Sequence, residues 1–175
     1  MGAGIVTPEE MGDAREWLEG ALRAARGKMP EQVEGVPFSF IYDGRPSSEL
    51  LPSWRLNEEQ ASTREGFVER TIVWSDPSTG LRIFLYIREY TDFPIAEWVV
   101  HLKNAGAAAT PILEQVQSME LLFRQKGTVT LHYHTGDYCA PDGYEPHEAA
   151  LMPGSVMTFA PVGGRPTNRA FPYYN

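Results

Sequence analysis

The stretch Glu65 to Tyr90, "EGFVERTIVWSDPSTGLRIFLYIREY", constrains the fold of this chain more than any other. Its two arms are rich in β-branched and aromatic residues. Between them stands "SDPSTG", a turn sequence that ends on glycine, the residue that takes positive φ without strain. Two such arms about a tight turn predict an antiparallel hairpin. In the next segment, "IAEWVVHLKNAG", Ala96, Trp98, Val100 and Leu102 share one face while Glu97, His101 and Lys103 share the other. A strand with one wet side reads this way, and its dry side has to be covered by a second layer.

The flanking sequence fits the same plan. "PFSFIYDG" alternates Phe38, Phe40 and Tyr42, and "PILEQVQSMELLFRQ", "GTVTLHYH" and "SVMTFAPVGG" follow as further strand candidates. About eight strands with turn signals between them predict a sandwich rather than βαβ units. Only the beginning is helical. Thr7, Pro8, Glu9 and Glu10 read as a capping box with proline at the first helical position; Met11, Ala14, Trp17, Leu18, Ala21 and Leu22 then recur at helical spacing until about Gly27. The proline-bearing "KMPEQVEGVP" is the connector. The expected organisation is mainly β: residues 1–35 as helix and connector, and residues 36–175 as an antiparallel β-sandwich. A hydrophobic content of 42% is enough to fill its core.

The formal charge of −8, from 23 acidic and 15 basic residues, argues against nucleic acid or an anionic membrane as partner, since both would repel the surface. Cys139 is the only cysteine, so no internal disulfide forms and the compartment cannot be read from cysteine usage. "MGAGIVTPEEMGDAREW" lacks the basic start and apolar run of a signal peptide, so the chain as given is expected to be soluble.

Chemistry-bearing residues concentrate in "LHYHTGDYCAPDGYEPHEAAL", Leu131 to Leu151, which holds three of the four histidines, the cysteine and four carboxylates. His132 and His134, two apart on a strand, project on one face; with His147, Cys139 or Asp137 they have the donor types for zinc or iron. A cupin-type, metal-dependent enzyme would need a glutamate soon after the second histidine. Tyr138 and Cys139 stand there instead, and Glu145 comes too late. The plainer account makes Thr128, Thr130, His132 and His134 the polar face of a strand, so no metal or other cofactor is expected. No nucleophile turn surrounds Cys139. Asp137, Asp142, Glu145 and Glu148 are the residue types of a glycosidase acid and base, yet four acids in a Gly/Pro-rich loop are more often solvated turn formers. Aromatic faces on which a sugar ring stacks are offered by Trp54 in "LLPSWRL" and by Phe171, Tyr173 and Tyr174, all in proline-bearing segments where a strand is least expected. Core anchoring is the competing role for them. Trp74 and Trp98, inside alternating strands, are expected in the core.

Taken in order, "PFSFIYDGRPSSELLPSW", "DPSTGLRI", "YTDFPIAEWVVHLKNAG", "TPILEQVQSMEL", "GDYCAPDGYEP" and "LMPGSVMTFAPVGGRPTNRAFPYYN" resemble the N-terminal part of bacterial α-galactosidase-like glycosidases related to glycoside hydrolase family 36. The resemblance runs from about Val36 to Asn175 and rests on the order and spacing of the phrases. It implies a supersandwich that precedes a TIM barrel, in which two barrel aspartates act as nucleophile and acid/base of a retaining mechanism. Neither aspartate falls in this sequence, so the resemblance implies a non-catalytic domain with no catalytic residue of its own. The intact enzyme's partners would be an α-galactoside-type carbohydrate and the downstream barrel.

On that reading "HTGDYCAPDGYEPHE" is a surface loop that packs against the barrel or approaches its sugar-binding mouth. Asp137, Tyr138, Asp142 and Tyr144 are its contact residues, with Trp54, Tyr173 and Tyr174 as further candidates. A freestanding carbohydrate-binding module and the cupin-type enzyme are the alternatives. The aromatic C-terminal segment, with no following element to cover it, is expected to bury itself against a second copy or another chain, giving a homo-oligomer, unless it folds back on the sandwich.

Overall fold

The computed structural model describes residues 6–25, 36–58, 61–121, 127–137, 139–141 and 143–174, with the side chains of residues 21–25, 58 and 172–174 left aside. The predicted end of the first helix near Gly27, and most of the connector after it, lie outside these residues, as do the side chains of Ala21 and Leu22. The chain is mainly β, its sheets are antiparallel and one long helix stands at the N-terminus. Two compact units divide after Leu122.

The first unit opens with α1 (Pro8–Ala25). The capping box forms as the sequence predicts: Thr7 N–H donates to Glu10 Oε2 at 2.8 Å, and Glu10 N–H donates to Thr7 Oγ1 at 3.2 Å. These Thr7 bonds hold the Glu10 carboxyl below the usual carboxylate range. After β1 (Ser39–Tyr42) comes a turn through Asp43 and Gly44, both at positive φ, where Asp-Gly is the favoured pair, and then β2 (Arg45–Pro46). One turn of helix, α2 (Ser47–Leu50), and a 3-10 turn over Leu51–Ser53 lead to β3 (Arg55–Glu58) and β4 (Ser62–Arg64). The predicted hairpin is β5 (Phe67–Ser75) and β6 (Leu81–Tyr90), followed by β7 (Ala96–Asn104) and β8 (Leu113–Gln117).

A three-stranded sheet, β2-β1-β8, packs its apolar face on a five-stranded sheet ordered β3-β5-β6-β7, with β4 also paired to β5. Phe38, Phe40 and Tyr42 of the first segment meet Ile72, Trp74, Ile83, Leu85 and Ile87 of the second. Phe38 sets its ring edge-on to Trp74 at 5.6 Å. Helix α1 adds buried Leu18, sets Trp17 against Trp98 at 6.0 Å, and ties itself to β5 and β6 through Arg15–Glu89 and Glu19–Arg70 ion pairs. Trp74 is fully buried and Trp98 packs half-buried against the core, as expected.

The hairpin turn is locked from inside. Asp76 is buried and accepts from the Ser78 N–H at 2.9 Å, from the Ser78 hydroxyl at 2.6 Å and from the Thr79 hydroxyl, while the Tyr42 hydroxyl lies 2.8 Å from Thr79 Oγ1. Burial works against the charged carboxylate, but the Ser78 and Thr79 bonds outweigh it and the carboxyl titrates below its usual range.

The second unit is a three-stranded sheet ordered β10-β9-β11: β9 (Val129–His134), β10 (Pro146–Leu151) and β11 (Phe171–Tyr174). Two sequence expectations are corrected here. "SVMTFAPVGG" forms no strand: Pro153 precedes it, Pro161 interrupts it, no strand among the described residues pairs with it and Val156 stays 87% exposed. The "FPYY" segment, read as an unlikely strand, is β11. It stands at the edge of its sheet, the position where proline is tolerated, and its register shifts between Phe171 and Tyr174. Among the described residues no helix is long and apolar enough to cross a membrane.

Candidate functional site

The loop between β9 and β10 carries most of the candidate residues. It is shorter than the sequence suggests: His134 belongs to β9 and Pro146, His147 and Glu148 belong to β10, which leaves residues 135–145. Proline is tolerated at the first position of β10, so the Glu-Pro pair reads as loop while starting a strand. The ladder pairs Pro146 with His134 and runs to Leu151 with Val129. It then continues into the loop, where Thr135 N–H donates to the Glu145 carbonyl at 3.2 Å and Tyr144 N–H to the Gly136 carbonyl at 3.1 Å. The loop is therefore a hydrogen-bonded extension of the hairpin.

Its base is fixed by a glycine. Gly136 has φ +72, and a Cβ there would stand 3.1 Å from the Phe171 nitrogen and closer still to the Thr167 carbonyl oxygen. Only a residue without a side chain lets the loop backbone run this close to the segment entering β11. At the tip, Asp137 Oδ1 accepts from the Cys139 N–H at 2.9 Å, an Asx turn that holds Cys139 at φ 62. Gly143 N–H donates to the Ala140 carbonyl at 3.0 Å, and Tyr144 follows at φ 63.

Two groups of side chains form around these turns. Tyr144 is 52% exposed and sets its ring edge-on to Phe171 at 5.7 Å, while Phe171 stands edge-on to His134 at 6.4 Å. Asp137 is exposed beside Cys139, and Arg165 Nη1 donates to Cys139 Sγ at 2.7 Å. That sulfur first, and the Asp137 carboxylate second, hold the Arg165 guanidinium more firmly in its charged form. An acid, a guanidinium and a phenol on an aromatic base thus share one end of the second unit. Sequence reasoning missed Arg165. Its signal is "VGGRPTNRA", in which Gly163 and Gly164 both take positive φ and turn the chain back toward the loop.

The remaining candidates go elsewhere. Trp54 lies in the sandwich core, 7% exposed, packed edge-on to Tyr42 at 5.9 Å, so it offers no face to a sugar. The short helical turns before it bury Leu50 and Leu51 and carry the indole inward with them. Tyr138 and Asp142 lie outside the described residues, and for Tyr173 and Tyr174 only the strand position is described. His132 Nδ1 lies 3.2 Å from Glu148 Oε1, directly across the ladder, and His147 stacks on Tyr133 at 5.2 Å with Glu145 3.9 Å from its Nε2. The imidazoles are engaged by strand neighbours, and among the described residues no three His, Cys, Asp or Glu side chains converge as a metal site would require.

No protein-family model, no curated protein and no solved structure matches the chain.

Proposed function

We propose that this chain is the non-catalytic N-terminal β-sandwich region of an α-galactosidase-like glycoside hydrolase, and that residues 135–145 face the sugar-binding mouth of a barrel encoded downstream. The observation that carries the proposal is the ordered set of phrases from "PFSFIYDGRPSSELLPSW" to "RPTNRAFPYYN". The geometry of the loop supports the second half. Sugar hydroxyls are read by carboxylates and guanidinium groups, and the apolar face of a pyranose rests on aromatic rings. Asp137 and Tyr144, on the loop pinned at Gly136, and Arg165, which bonds to that loop through Cys139, supply those three functions.

The division of labour follows from the chemistry of retaining hydrolysis. Two carboxylates about 5 to 5.5 Å apart across the glycosidic bond act as nucleophile and acid/base, and both belong to the barrel. This chain contributes contacts away from the reacting centre. Binding energy from such remote contacts raises kcat/KM by positioning the substrate.

The test is expression of the chain with and without its downstream sequence. The complete protein is expected to hydrolyse aryl α-galactosides and the 175-residue chain alone is not. In the complete protein, Tyr144→Ala should lower kcat/KM roughly tenfold, the equivalent of about 1 to 2 kcal/mol for losing one aromatic contact, with no change in melting temperature. Turnover by the isolated chain that vanishes in Glu145→Ala overturns the non-catalytic assignment. Sugar binding by a chain with no barrel downstream replaces it with a freestanding carbohydrate-binding module. One tightly held ion per chain, lost in His132→Ala, replaces it with a metal-dependent enzyme.

A further inference from the structure

Strand β7 ends the five-stranded sheet, and among the described residues no strand pairs with its outer edge. It is nine residues long, regular and without proline, the kind of edge that invites another strand. Its wet face carries Val99, 55% exposed, between Glu97 and His101. Neighbouring β8, the edge strand of the other sheet, exposes Val116 with Ile112 just before it. Proteins usually blunt a long edge with proline, a bulge or charged side chains; β7 has no proline and no bulge, and its charges, Glu97 and Lys103, are of opposite sign.

We infer that β7 pairs with β7 of a second copy of this chain, antiparallel, about a two-fold axis through Val100. The pleat fixes the parity of the register. Ala96, Trp98, Val100 and Leu102 point to the core face, so residues of the same parity must stand opposite each other or core-facing positions would meet wet ones. A two-fold axis must then pass through a residue, and the axis at Val100 is the one that uses all nine residues, Ala96 opposite Asn104. In that register Glu97 of each copy faces Lys103 of the other, twice by symmetry, Val99 faces His101, and Trp98 faces Leu102. An axis through Val99 would set Glu97 against His101, and one through His101 would set Val99 against Lys103. The charge pattern of the strand is complementary to itself only about Val100.

The surroundings of both charges favour this pairing. Glu97 is already oriented by Arg88 of β6, which donates to its Oε1 at 2.8 Å, while farther along the same strand Arg82 stands directly opposite Lys103, a like charge. A carboxylate brought to Lys103 by a partner relieves that repulsion. The result would be one sheet running through both molecules. The inference stands whether or not the glycosidase proposal does, because it uses only the edge and its charges.

The experiment is sedimentation velocity on the 175-residue chain across a concentration series, with Lys103→Glu as the variant. The wild-type chain should sediment as a dimer at tens of micromolar and shift toward monomer on dilution. Lys103→Glu places two carboxylates opposite each other at both ends of the pairing, and the dimer should be lost at the same concentration. Within one molecule the same substitution sets a carboxylate opposite Arg82, which favours the folded monomer, so a retained cooperative melt separates loss of pairing from loss of fold. A wild-type chain that stays monomeric over the whole series overturns the inference. So does a dimer that survives Lys103→Glu, including one abolished by removing residues 171–175 instead, which would place the contact at the aromatic C-terminal segment.

Discussion

Gly136→Ala tests whether the loop is placed by close backbone approach. Two costs add. An alanine at φ +72 sits in the left-handed region, which costs roughly 1 to 2 kcal/mol for an L-residue. Its Cβ would also fall well inside contact distance of the Thr167 carbonyl oxygen, a separation that forces one of two backbones to move. The movement strains the bonds on either side, Thr135 N–H to Glu145 and Tyr144 N–H to Gly136, at about 1 kcal/mol each. The expected loss is about 3 to 4 kcal/mol, confined to the second unit. Native-state hydrogen exchange reads it: the amides of Thr135 and Tyr144 should exchange roughly 100- to 1,000-fold faster, since each 1.4 kcal/mol is tenfold, while β5 and β6 keep their protection. Gly154→Ala is the control. It has φ +85 but nothing within 4 Å of the added carbon, so only the conformational cost of about 1 to 2 kcal/mol applies. Equal effects of the two variants on the loop amides would refute the close approach.

Two further outcomes follow from the sandwich. Trp54→Ala should lower the free energy of unfolding by about 3 to 5 kcal/mol, as expected for emptying a large buried aromatic site; a loss below roughly 1 kcal/mol in chemical denaturation would contradict its place in the core. Asp76→Ala should destabilise the chain at neutral pH by roughly 1 to 3 kcal/mol, because buried donors lose their acceptor. The Asp76 carboxyl is held below its ordinary range, so its stabilisation is complete above the unfolded-state value and fades as the pH falls through the folded-state value. The gap between wild type and variant should therefore narrow in strong acid, and a gap that widens there would refute the assignment.

How much was legible depended on how local the determinants were. The β5–β6 hairpin, the α1 cap and the alternation along β7 are set by neighbouring residues, and all three stand where the sequence puts them. Trp54 failed as a ligand candidate because its proline-rich surroundings suggest exposure, whereas burial is decided by what lies across the core, here Phe40 and Tyr42. The last two strand assignments failed for a related reason. "SVMTFAPVGG" alternates better than "FPYY", but pairing depends on an available edge, and β9 takes the second segment and not the first. Arg165 went unnoticed because its meeting with Cys139 spans 26 residues and leaves no periodic trace.

Asp76 and Asp137 show how one turn device is closed off at one site and left open at another. Both sit at the tip of a hairpin and both accept a backbone N–H from the residue two positions on, at 2.9 Å, so the turn chemistry is the same. Their surroundings differ. Asp76 is buried, and its second oxygen is also taken, by the Thr79 hydroxyl, which leaves nothing for a ligand. Asp137 is exposed and shares its loop tip with the thiol that holds Arg165 and with an exposed Tyr144. A carboxylate that serves only a turn gains from having every acceptor site filled and screened from water, as at Asp76. Asp137 closes its turn with one backbone bond and remains in water beside a cation, an arrangement that costs little to hold and leaves hydrogen-bonding capacity for a hydroxyl-rich partner. Of the two loops built on the same local device, it is therefore the one spanning residues 135–145 that keeps a carboxylate open to solvent, which is what the proposed sugar contact requires.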